Sequence, residues 1–172
     1  MRFFRLVQLC VLMIVLPLLG GCGVYSLTGA SITGKTINIH TLENRALQVA
    51  PSLATTLTDK LRNRILSQTG LAAVNTETAD YDMKAVITGY TVSNSGIQSV
   101  NGVAQTSSNR LTVTVEVDFK NRVDEKASFK QSFSRFYDFP ASQQLQSIEA
   151  AAIEEIGNQI ADDIFNKAFV NW

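Results

Sequence analysis

The stretch "RLTVTVEVDFK", residues 110–120, leaves the chain few options. Leu111, Val113, Val115, Val117 and Phe119 alternate without error with Thr112, Thr114, Glu116 and Asp118. Successive side chains of a strand point to opposite faces, so this run demands a sheet with one face in the core and one in water. A slip of one residue would invert every side chain, and the register is therefore fixed by burial. "NRVDEK" turns the chain, and "ASFKQSFSRFYDF" returns it with Phe129, Phe133 and Tyr137 on one side. Upstream, "MKAVITGYTV" (83–92) is β-rich and apolar on both faces, with Gly89 as a bulge or a point of close approach. Between it and the alternating strand lies "SNSGIQSVNGVAQTSSN", where Asn101-Gly102 is a strong hairpin-turn signal. This predicts a long loop tip, Gly96 to Asn109, polar and nearly uncharged, of the kind tolerated when mobile or docked.

Such a sheet needs a cover for its apolar face. Leu53, Leu57, Leu61 and Ile65, flanked by Leu47, Ala50 and Ala54, form one stripe of an amphipathic helix over 46–69. Pro51 suits its first turn and Gly70 the residue just past its end. Lys60, Arg62 and Arg64 are expected in its last turns, either as a solvated face or as weak anion contacts. Pro140 ends the last strand, and Ser142 is a fair N-cap for a second helix striped by Leu145, Ile148, Ile153, Ile156, Ile160 and Ile164. "TINIHTL" (36–42) is a short strand with Ile37 and Ile39 on one side and Asn38 and His40 on the other. The connector after Gly70 holds one further short strand. The order β-α-β-β-β-α predicts an α+β sandwich, two helices packed on one face of a mostly antiparallel sheet.

The first 21 residues stand apart. Arg2 and Arg5 precede an apolar run from Leu6 to Leu19 broken only by Gln8, and Gly20 and Gly21 follow. That is a secretory signal. "Leu19-Gly20-Gly21-Cys22" matches the lipobox of bacterial lipoproteins: small residues let a peptidase cut before a cysteine whose sulfur carries diacylglycerol, freeing an amine for a third acyl chain. Each buried methylene contributes about 0.8 kcal/mol, so an N-acyl, S-diacylglyceryl Cys22 would anchor stably. Cys10 leaves with the signal, and the mature chain keeps one cysteine and no disulfide framework. The expected organisation is a signal over 1–21, a lipidated cysteine and flexible tether over 22–35, and a single domain over 36–172. No acidic residue follows Cys22 directly, which by the known sorting signals points to the outer membrane.

Chemistry is sparse. His40 is the one histidine, and with one mature cysteine no zinc site can be built. Asp80, Asp82, Asp162 and Asp163 form the close carboxylate pairs and read as solvated charge. Phosphate-binding glycine loops and nucleophile elbows are missing from the sequence. The chain is expected not to be an enzyme and to hold no cofactor beyond its lipid. Without Arg2 and Arg5 it carries 13 basic and 15 acidic residues, which argues against nucleic acid as a partner. Phe165 and Phe169, one turn apart near the C-terminus, suit either core packing or a partner contact.

Taken in order, several stretches resemble the lipopolysaccharide-assembly lipoprotein family, LptE: "CGVYSL" behind the lipobox, "TLEN", "LATTLTDKLRNRI", "TADYDMKAVITGY", "RLTVTVEVDFKN" and "IEEIGNQIADDIFNKAFVNW". The resemblance covers essentially the whole mature chain. It implies an outer-membrane lipoprotein that plugs a large β-barrel, LptD, in a 1:1 complex, supports its folding, and contacts lipopolysaccharide. It places the partner or lipopolysaccharide contact at the hairpin, around Gly96, Asn101, Gly102 and Arg110. Some members carry basic residues beside the Asn-Gly turn; here Val100 precedes it and the nearest cation is Arg110. Two other readings of the residues stand beside it: a free-standing lipid-binding module, which needs an apolar cavity between helices and sheet, and another barrel-assembly accessory factor.

Overall fold

The computed structural model describes residues 32–48, 50–100 and 103–170. Strands β1 (Thr36–Ile39) and β2 (Glu43–Asn44) lead into helix α1 (Leu53–Thr69), and a short β3 (Ala72–Ala73) follows. Then come β4 (Tyr81–Val100), β5 (Val103–Asn121), one 3-10 turn (Glu125–Ala127), β6 (Phe129–Pro140) and helix α2 (Leu145–Phe169). The strands form one mixed sheet in the order β3-β1-β4-β5-β6, with β2 also against β4. The long pairings, β4 with β5 and β5 with β6, are antiparallel. The short pairings, β1 with β3 and β4 and β2 with β4, are parallel, because α1 carries the chain back to the starting edge.

The alternation in β5 sets the layers. Leu111, Val113, Val115, Val117 and Phe119 are all fully buried against the helices. Met83, Ala85 and Ile87 of β4 and Phe133 of β6 join them in register. From the other side come Leu53, Leu57, Leu61 and Ile65 of α1 and Ile153, Ile156, Ile160 and Ile164 of α2. Each such side chain contributes about 1.5–3 kcal/mol relative to exposure. The helices approach closely at Gly157, where a Cβ would lie 3.4 Å from Leu57 Cδ2 and 3.4 Å from Lys60 Cγ. At the lower end Tyr81 stacks on Phe119, centroids 5.9 Å apart, and Phe169 meets both rings edge-on at 5.5 Å. Phe165 and Phe169 are therefore core residues.

Three details differ from the sequence reading. Ser93 to Val100 and Val103 to Asn109, expected as a loop, continue β4 and β5, and Val100 pairs with Val103. Polar side chains on both faces hide a strand, since the alternation signal needs one face buried. Pro51 lies before α1 rather than in its first turn: a turn bond from Leu53 N–H to Ala50 O precedes the helix, and Ser52 is its N-cap. Gln144, not Ser142, stands at the N-cap position of α2, without a side-chain capping bond. Gly70 closes α1 as anticipated, with φ of 66° and its N–H on Leu66 O. Thr88 is the extra residue of a bulge between Ile87 and Gly89.

Candidate functional site

The sheet face away from the helices is open. Its lower part carries Lys84, Glu116, Asp118 and Lys130 on neighbouring strands, with Lys130 3.0 Å from Glu116. Together with His40, Glu43 and Arg45 these line an open cleft of about 460 Å³. Higher on the face a hydroxyl array takes over: Thr114 and Ser134 share a bond of 3.1 Å, and Thr88 reaches Thr114 O. A charge-balanced lower part and a neutral upper part suit contact with polar surface rather than with a polyanion.

Above the helices β4 and β5 run on as a bulged hairpin. A second irregularity lies between Asn94 and Ile97, where Gly96 sits so close to Ser108 that a Cβ would be 2.4 Å from its Oγ. A side chain there would force the Ser107 and Ser108 hydroxyls to turn away. The pairing of β6 with β5 ends at Ser108 with Pro140. Ile97, 79% exposed, is the most exposed large apolar side chain of the hairpin among the described residues. Asn101 and Gly102, the turn singled out in the sequence, lie outside the described residues, as does Cys22.

Arg110 stands at the base of this hairpin. Its guanidinium donates to Asp138 through Nε at 2.7 Å and a terminal nitrogen at 2.8 Å, and lies 3.6 Å over the Phe136 ring. The shared hydrogen bonds hold Asp138 below the usual carboxylate range and raise Arg110 above its own ordinary value. Arg110 is a fixed part of the sheet face, already neutralised.

The basic residues of α1 are not one cluster, and they stand before its last turn. Lys60 pairs with Glu154 of α2. Arg64 Nε is 2.8 Å from Asp162, an ion pair by distance without an aligned hydrogen bond, and its guanidinium sits 5.1 Å over Phe165. Arg62 donates instead to Ile39 O. The positive charge expected for anions is spent on helix packing and chain crossing. Only spatial neighbours could reveal this, since Glu154 and Asp162 are remote in sequence.

The carboxylates read as solvated are also engaged. Asp163 takes two bonds from Arg135 of β6, at 2.5 and 2.6 Å. Asp82 is 3% exposed and accepts from Asn38 and His40, each at 2.9 Å, tying β1 to β4 beneath the open cleft. Asp80 receives the N–H groups of Lys35 (2.7 Å) and Thr36 (3.0 Å) and the Thr36 hydroxyl. Those bonds, that from Lys35 first, lower its pKa from 3.8. Gly34 donates to the Tyr81 hydroxyl, and a Cβ on it would lie 2.5 Å from that ring. This clasp fixes where the chain joins the domain. Tyr90 donates to Glu149, and burial, then that bond, pushes the phenol well above its ordinary value. Among the described residues, His, Cys, Asp and Glu nowhere converge in threes to hold a metal.

Comparison with known proteins gives the following. The family model described as LptE, lipopolysaccharide-assembly, matches residues 34–168. No curated protein matches in sequence. Among solved structures, a Xanthomonas campestris protein is similar with TM-score 0.53 at 12% identity, covering 80% of this chain and 85% of that one. A hypothetical protein from Chlamydia trachomatis is similar with TM-score 0.51 at 9% identity, covering 78% and 95%. The rare lipoprotein B from Shewanella oneidensis matches with TM-score 0.48 at 15% identity, covering 77% and 92%. The first two likenesses show a shared fold.

Proposed function

This chain belongs to the LptE lipopolysaccharide-assembly family, and we propose that it works as an outer-membrane lipoprotein, anchored through Cys22, that fills and supports a translocon barrel of the LptD type. The observation that carries this reading is the family match over residues 34–168. The family is one of assembly proteins without catalytic chemistry, and its role in lipopolysaccharide assembly is what comes to this chain. The geometry agrees with it. A plug in a polar lumen needs a core complete in itself and a hydrophilic outside. The layer between helices and sheet is filled by one continuous cluster of buried side chains, whereas a lipid carrier needs room there for acyl chains.

In this reading the β4–β5 hairpin is the main partner contact and Arg110 is not a phosphate hook, because Asp138 already holds it. Removing residues 96–106 is expected to abolish co-purification with the barrel, while Arg110→Ala retains it. The reverse pattern would overturn the assignment.

A further inference from the structure

The outer side of β4 changes character halfway along. Up to Ile87 it is occupied: β1 pairs with Tyr81 to Met83, β2 pairs with Val86 and Ile87, and the last rung runs from Arg45 N–H to Ile87 O. The chain then leaves for α1. From Thr88 to Val100 no strand among the described residues pairs with β4 on that side. Beyond Ser108, where β6 stops, the sheet is only two strands wide. The vacated edge is about 40 Å long at roughly 3.3 Å per residue.

Exposed sheet edges are normally guarded against pairing by charge, proline, bulges or short length. The other long edge, β6, follows that rule with Lys130, Arg135 and Asp138 and ends on Pro140. The β4 edge has only its bulges. From Ala85 to Asn109 the sequence holds neither a charged residue nor a proline. Two bulged stretches twist the ribbon, yet the rungs from Ile97 to Val100 are regular. A two-stranded ribbon alone is marginally stable in water. An edge without charge or proline, continuous with an occupied one and only two strands wide beyond Gly96, is built to receive another strand.

We infer that the β4 edge from Thr88 to Val100 takes an extended segment of the partner barrel by strand addition, continuing the rank that β2 begins. This rests on the proposed function and adds to it the mode of contact. Affinity would come from main-chain hydrogen bonds, and the uncharged flank tolerates varied side chains. The occupant is an extended loop of the barrel with few charges, since the barrel's own strands are already paired on both sides and a charged segment would lose hydration against this neutral ribbon.

The test uses the full-length lipidated chain, co-expressed with the LptD barrel of the same organism and purified through a tag on the barrel. Thr91→Lys/Ile97→Lys places edge-blocking charge at two exposed positions, and recovery is expected to fall by about tenfold or more. Thr91→Ser/Ile97→Ser removes the same side-chain contacts but leaves the edge open, and should hold the barrel at wild-type level. In the wild-type complex, amide exchange over 88–100 should slow relative to the lipoprotein alone. Equal recovery of the lysine variant, or equal loss with serine, would overturn strand addition while leaving the plug reading intact. A wild-type chain that fails to retain the barrel overturns the plug reading, and this inference with it.

Discussion

Gly157 faces α1 at close range, and its replacement tests the helical layer directly. A β-carbon there would lie 3.4 Å from Leu57 Cδ2, 3.4 Å from Lys60 Cγ and 4.0 Å from Lys60 Cβ. The nearest two atoms belong to flexible side chains and can yield by a few tenths of an ångström. Alanine in a helix interior is favoured over glycine by about 0.8–1 kcal/mol. Gly157→Ala should therefore stabilise the domain by about 1 kcal/mol, raising Tm by about 2–4 °C for a protein of this size. Gly157→Leu has nowhere to place its added carbons without parting the helices and straining the Lys60–Glu154 and Arg64–Asp162 pairs. It should cost about 1–3 kcal/mol by overpacking. Urea unfolding of the lipid-free protein, followed by circular dichroism at unchanged m-value, measures both. An alanine variant destabilised by more than about 1 kcal/mol, or a leucine variant as stable as wild type, would refute the packing described for this helix pair.

Other consequences are as direct. Asp82→Ala leaves the buried Asn38 amide without its carboxylate and should cost about 2 kcal/mol in urea unfolding; wild-type stability would disprove the role of that network. Asp80 has a folded pKa below 3.8, so its clasp contributes stability above pH 3.8 and loses it as pH falls through the lower folded value. The Lys35 and Thr36 amide resonances should stay fixed from neutral pH down to 3.8 and move below it, and Asp80→Asn should abolish that step. Cys22→Ala should release the protein from membranes on fractionation without changing its unfolding midpoint.

Parts of this molecule were plain in the sequence. The β5 alternation fixed its own buried face, and the leucine and isoleucine stripes identified both covering helices. Gly70 and Gly89 marked a helix end and a bulge because each answers a local backbone demand. The hairpin extension was hidden, since Ser, Asn and Gln on both faces give no period to read. The charged residues were misread for a different reason. Lys60, Arg64 and Asp163 look solvated in isolation, and only folding sets them against Glu154, Asp162 and Arg135. Asp82 reads as solvated charge because nothing local announces that Asn38 and His40 lie beside it on and next to the adjacent strand.

The Asp80–Tyr81 clasp has a mechanical consequence. It grips the chain at the foot of β4, and the hairpin's far end lies at the head of the same 20-residue strand, about 65 Å away. The sheet, turning as one body on the incoming chain, is thus a lever with its pivot at Lys35 and Thr36. A tilt of about 10° at the pivot carries the hairpin end through about 11 Å over that length, more than the spacing of two neighbouring strands. Stiffness at the pivot therefore sets the aim at the far end: loosening one carboxylate at the foot of the sheet would blur where the hairpin points.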